Sequence, residues 1–226
     1  MSESEYLTTV YACDEHVAVR SSGDFAVLAP DWQKAAYGVD GAFAPADRWT
    51  LTSASVDFEA AGVRRGHVVS LRKPASAFKG AGELLAVESA SGAAVSLRRI
   101  GAKPGAGAPP APASGVTGVE FAIATLDPQI EEASFELNRR FNIDPDVGGR
   151  RPTDLYDLRD LRQACVLSVL IRRYAAETRG EQGDFALKLQ QAQRELSELL
   201  ARLDLRWGCS GSDEQSTSLF STRIVR

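Results

Sequence analysis

Histidine and cysteine are scarce in this chain of 226 residues, with two of the first and three of the second. That shortage limits its chemistry. A nucleophilic serine or cysteine needs a base close by, and His16 and His67 are the only imidazoles. A structural zinc site needs about four ligands, usually from two paired clusters. The run Cys13-Asp14-Glu15-His16 offers half of one, but Cys165, Cys209 and His67 are isolated from it in the sequence. No metal and no cofactor are expected, and residues 13–16 read as a loop or strand edge. The run GCSGS at 208–212 lacks the final glycine of a nucleophile elbow and follows a helix instead of a strand. Gly101–Gly107 contains a G-x-G without the lysine-Ser/Thr pair or the following helix of a phosphate loop. The chain reads as no enzyme.

Long apolar runs are absent too. The longest, Ala164–Ile171, is broken by Ser168 and is far too short to span a bilayer. The opening MSESEYLTTV has neither a basic n-region nor an apolar h-region. The expectation is a reduced, cytosolic protein with no membrane partner. Net charge is −4 and neither half is basic, so bulk charge advertises no nucleic-acid face. A content of 44% hydrophobic and 25% charged residues is that of an ordinary globular protein.

What is present falls into two halves. Residues 1–102 read as a turn-rich β module. Pro30–Tyr37 suggests one or two helical turns stopped by Gly38, and residues 49–58 alternate like a strand. His67–Arg72, Glu83–Glu88 and Ala94–Ile100 are short β-rich runs punctuated by glycines. Their spacing predicts a small antiparallel barrel or sandwich. Residues 103–118, KPGAGAPPAPASGVTG, read as a Pro/Gly/Ala linker.

Residues 119–208 open with a strand, Val119–Thr125, and then turn helical. Asp127–Pro128 predicts a helix start, with Ile130, Ala133, Leu137 and Phe141 on one face. A second helix, capped by Thr153, Asp154 or Asp157, runs to about Thr178, and its middle, ACVLSVLI, is apolar on every side. After a break at Gly180–Gly183, Phe185, Leu189, Ala192, Leu196, Leu199 and Leu203 form a seam expected to pack antiparallel on that helix. Trp207 is expected to fold back on the helices. Residues 209–226 read as an extended docking tail, in which Leu219, Phe220, Ile224 and Val225 are β-prone. The fold class expected is α+β: a β barrel or sandwich, a helical bundle and a tail.

Arg139, Arg140, Arg150, Arg151, Arg159 and Arg162 cluster around one loop, interleaved with aspartates. They form either a solvated surface or an interface, and the mixed signs favour protein over DNA. Arg150, Arg151, Arg159 and Arg162, with Leu219, Phe220, Ile224 and Val225, are the candidate interaction surface.

Two stretches carry a resemblance. DFEAAGVRRGHVVSLRK at 57–73, followed by GELLAVESASGAAVSLRRIG at 82–101, resembles the small β modules of tailed-phage structural proteins, with His67 where aspartate is usual. Residues 157–207, from DLRDLRQACVLSVLI to LLARLDLRW, are similar to the helical core of head-to-tail connector (adaptor) proteins. The resemblance implies a virion structural protein of the neck, assembled in the host cytoplasm as a homo-oligomeric ring. It implies the portal protein and tail or neck proteins as partners, with packaged DNA passing through the ring. The alternative is a non-enzymatic protein- or glycan-binding module.

Overall fold

The computed structural model describes residues 10–30, 32–78, 82–144, 146–178 and 183–208. The chain is α+β and divides into two compact units: Cys13–Asp127, and Met1–Ala12 together with Pro128–Arg226. In the first unit, helices α1 (Asp14–Arg20) and α2 (Phe25–Leu28) precede six strands. These are β1 (Lys34–Phe43), β2 (Thr50–Thr52), β3 (Val68–Lys73), β4 (Glu83–Ser91), β5 (Ala94–Arg99) and β6 (Val116–Ala124).

The strands form a closed antiparallel barrel in the order β1-β2-β5-β4-β3-β6. Strands β3, β4 and β5 follow one another as a meander and β6 returns beside β3, which makes a Greek key. Alternation turns Val69, Leu71, Leu85, Val87, Phe121 and Ile123 into the barrel, and Val69 is paired with Leu85 on one side and Ile123 on the other. The rings of Phe58 and Phe121 meet there at 5.5 Å. Strand β3 is buried on both faces at Val68–Leu71, and α1 lies against it.

Among the described residues of Pro30–Tyr37 none is helical. The strand β1 begins at Lys34 and runs straight through Gly38. That glycine does not stop an element but admits a ring: a Cβ there would stand 2.6 Å from the edge of Phe121. Of residues 49–58, only Thr50–Thr52 are strand. The three short β-rich runs at 67–100 are strands, as expected. Asp14–His16 are not loop or strand edge but the first turn of α1, and Cys13 is its extended N-cap.

Residues 103–118 do not separate two domains. They belong to the return connection from β5 to β6, pinned by Arg99 Nε donating to the Ala108 carbonyl and by the buried Ala111. Their last three residues already lie in β6. The strand expected to open a helical domain therefore completes the barrel, and the boundaries fall at Ala12/Cys13 and Asp127/Pro128 instead. Proline, glycine and alanine gave the connection the look of a linker, but such residues suit a tight return equally well.

Past the barrel lie α3 (Asp127–Phe141), a short 3-10 turn at Pro152–Asp154, α4 (Arg159–Glu177) and α5 (Asp184–Arg202). Ile130, Ala133 and Leu137 of α3 are buried as expected, and Ser134 joins them. The middle of α4 is buried almost all round, from Ala164 to Leu170. Arg172 on α4 bridges Glu132 and Glu136 on α3 at 2.5 and 2.7 Å. Tyr174 near the end of α4 faces Phe185 at the start of α5, 5.9 Å between centroids. At the other end Leu155, ahead of α4, bridges antiparallel to Trp207, beyond α5. The two helices thus run antiparallel, and the Trp207 segment pairs with residues 154–156, ahead of α4. Asp154 does not cap α4; its carboxylate takes the N–H groups of Gly149 and Arg151 and closes the preceding loop. Among the described residues no helix is long and apolar enough to cross a membrane.

Candidate functional site

The barrel unit gathers its ionisable groups at the start of α1. Glu15 N–H donates to the Gly66 carbonyl at 2.8 Å, which sets the first turn of α1 on the loop ahead of β3. Gly66 has φ +91°, and a Cβ there would lie 2.8 Å from Cys13 Sγ, so only glycine fits this approach. Leu126 N–H donates to Asp14 Oδ1 at 2.7 Å, tying the same turn to the end of β6.

These contacts bring together Asp14, His67 and Asp127. Each offers one donor atom, and the three atoms lie within 4.8 Å of one another. His67 Nε2 is 3.1 Å from Asp127 Oδ2, and Arg64 Nη2 is 2.7 Å from that same oxygen. Arg64 N–H donates to His67 Nδ1 over a long 3.4 Å, so the ring carries its proton on Nε2 and gives it to Asp127. Asp127 in turn donates its own N–H to the Thr125 hydroxyl.

Asp14 is wholly buried, and its Oδ2 has no hydrogen-bond partner. Burial pushes its carboxyl up to about 7, and the charge of Asp127 adds to the rise; the Leu126 N–H, His67 and a hydrogen bond from the Thr125 side chain oppose it. Burial also works to raise Asp127, but the hydrogen bonds it accepts from His67 and Arg64, with the charge of Arg64, hold it below the usual carboxylate range. Two adjacent carboxyls are thus pushed apart by their surroundings.

Beside this cluster, Arg98 donates through Nη1 and Nη2 to the two oxygens of Glu15, and its Nε lies 2.6 Å from Glu88. Gly101 N–H also reaches Glu15. Cys13 Sγ lies 3.1 Å from His16 Nδ1, which also accepts the Cys13 N–H. Burial raises the Cys13 thiol above its ordinary value. A reactive cysteine needs the reverse, so the pair is a helix cap with a thiol in it. Cys165, on α4, is a buried thiol pushed up to about 11 by desolvation, and it rests against Ser134.

The expected interaction residues lie elsewhere. Arg150, Arg151, Arg159 and Arg162 are exposed, and Arg159 pairs with Asp157 at 2.7 Å. Leu219, Phe220, Ile224 and Val225 lie outside the described residues. His67, read from sequence as an isolated residue, is not isolated. The Asp14–His67–Asp127 grouping escapes a sequence reading because 60 residues separate His67 from Asp127. The one local signal was the polar start of α1, where Asp14 stood among residues weighed for a different ligand set.

No known protein family, no curated protein and no solved structure matches the chain.

Proposed function

We propose that the chain is a virion structural protein, a head-to-tail connector subunit that forms a homo-oligomeric ring between portal and tail. The observation that carries this reading is uncovered apolar surface on both units. Trp32 is 82% exposed, and Tyr37 and Val39 stand outward from β1; Phe135, Tyr156 and Leu187 are uncovered in the other unit. Scattered single residues of this kind are ordinary, but aromatic side chains are enriched in protein–protein interfaces. The ionisable groups described above point the same way, because they brace elements against each other and include no activated nucleophile. In this reading α3, α4 and α5 form the bundle that scaffolds the ring, and residues 209–226 dock on a neighbour.

Light scattering and negative-stain microscopy of the purified chain test it, alone and with the portal protein. A ring, formed alone or on the portal, supports the proposal; a monomer that ignores the portal overturns it. A second reading draws on Trp32 and Tyr37, two exposed aromatics close in sequence at the start of β1. Such rings also suit a protein- or glycan-binding module. A monomer that binds an immobilised glycan, with loss on Trp32→Ala, would favour that alternative.

A further inference from the structure

We propose that Asp14, His67 and Asp127 form a binding site for a divalent transition-metal ion of the zinc class, which clamps α1 and the β6–α3 junction to the loop ahead of β3. Two observations carry it. Three donor atoms from three distant segments converge within 4.8 Å. One of the contributing side chains, Asp14, is wholly buried with a carboxylate oxygen left without a partner. A buried polar atom of that kind is costly unless something answers it. A cation at the centre of the cluster would do so.

The donor set selects the ion. One imidazole nitrogen and two carboxylate oxygens suit zinc or its neighbours, whereas calcium wants six to eight oxygens and magnesium a near-ideal octahedron. Donors about 2.0–2.2 Å from a tetrahedral zinc stand roughly 3.3–3.6 Å apart. His67 Nε2 and Asp127 Oδ2 are already at 3.1 Å. Leu126 N–H fixes Asp14 from behind, as an outer hydrogen bond fixes a ligand. The fourth position would face Asp127, the most open of the three. Arg64 now sits on that side, and its 58% exposed side chain is free to swing into solvent. Ligation through Nε2 moves the ring proton to Nδ1 and gives up two contacts, the Nε2–H bond to Asp127, which shared ligation of the ion replaces, and the 3.4 Å contact from Arg64 N–H.

The test uses the full untagged chain, stripped with chelator and reloaded with Zn²⁺ or Co²⁺. One equivalent of zinc by elemental analysis, with a rise in melting temperature, is expected. Asp14→Asn should fold with the melting temperature of the metal-free protein and lose both uptake and rise. Cys13→Ser with His16→Ala should keep them, which separates this site from the neighbouring thiol and imidazole. Should Asp14→Asn fail to fold, the Co²⁺ spectrum of the unaltered chain decides. Visible d–d bands without thiolate-to-cobalt charge transfer support nitrogen and oxygen ligands. A strong thiolate band places the metal on a cysteine and overturns the proposal, as would no uptake at all or uptake indifferent to Asp14→Asn.

Discussion

Arg98 grips Glu15 with both terminal nitrogens across 83 residues of sequence, and both side chains are close to fully buried, at 11% and 9% exposure. The pair joins α1 to β5. A buried ion pair is weak evidence for net stability, because desolvation offsets the attraction, but removing one partner strands the other.

Glu15→Ala should therefore destabilise the barrel unit by about 3–5 kcal/mol. Arg98 would keep Glu88 and the Ala102 carbonyl, which places the cost at the lower end of that range. Urea unfolding measures it. A loss within the noise of the midpoint would mean that α1 is not held to the sheet through this contact.

Asp40 on β1 accepts four hydrogen bonds from the segment after β2. Ser53 Oγ and Ser55 Oγ donate to Oδ1 at 2.8 and 2.9 Å, and the Ala54 and Ser55 N–H groups donate to Oδ2, each at 2.9 Å. The two hydroxyls are the main cause of a carboxyl lowered to about 2. A depressed folded pKa contributes stability that is fully present above the unfolded value, about 3.9. It is lost as pH falls from there through about 2. Ser53→Ala with Ser55→Ala should return the Asp40 titration toward the ordinary range in a carboxyl-detected NMR experiment and flatten this part of the acid limb. An unmoved titration would assign the shift to the backbone N–H groups.

The strands β3 to β5 were legible as short β-rich runs punctuated by glycines, and α3 to α5 because four- and three-residue spacing sets one face. What sequence hid was topology. Nothing local in residues 103–118 says that the chain turns back on the sheet it has just left, since the partners of β6 are β3, some fifty positions earlier, and β1, earlier still. Gly38 misled for a related reason: it is needed by Phe121, a residue on another strand. The Asp14–His67–Asp127 cluster needed both facts at once. It exists only after the Greek key has closed and α1 has packed on β3.

Leu199 is almost wholly buried on α5, whereas Leu196 one turn earlier is half-covered. Leu199→Ala should cost about 2–5 kcal/mol, the range for a leucine cavity that relaxes only in part. Thermal or urea unfolding checks it, and Leu196→Ala should cost less. An unchanged midpoint for Leu199→Ala would contradict the packing of α5 on α4.

The arginines after α3 are exposed, and an exposed ion pair contributes only about 0–1 kcal/mol to a subunit's own stability. Arg150→Glu with Arg151→Glu should thus leave the melting temperature of the isolated chain unchanged. If these side chains meet acidic groups of a neighbouring subunit or partner, the same pair of substitutions weakens assembly. Sedimentation of the reconstituted complex reads the difference, and unimpaired assembly would leave both arginines to solvent.

Residues 217–226 offer the sharpest separation between folding and docking. Leu219, Phe220, Ile224 and Val225 give the stretch the β-prone character of a segment that adds to a sheet, where main-chain hydrogen bonds supply affinity and side chains set register. Strand addition needs an edge that is not already paired. Strand β1 has ten residues, but its three-residue neighbour β2 pairs with it at Ala42↔Thr52, whereas β6 follows it from Lys34 to Phe43. The barrel is closed, but β2 reaches β1 at one end only, which makes that seam its most lightly paired. Deleting residues 217–226 should leave the melting temperature of the subunit unchanged and abolish its incorporation into the ring or onto the portal. A fall in melting temperature would instead make the segment part of its own subunit's fold, and the docking role would fail.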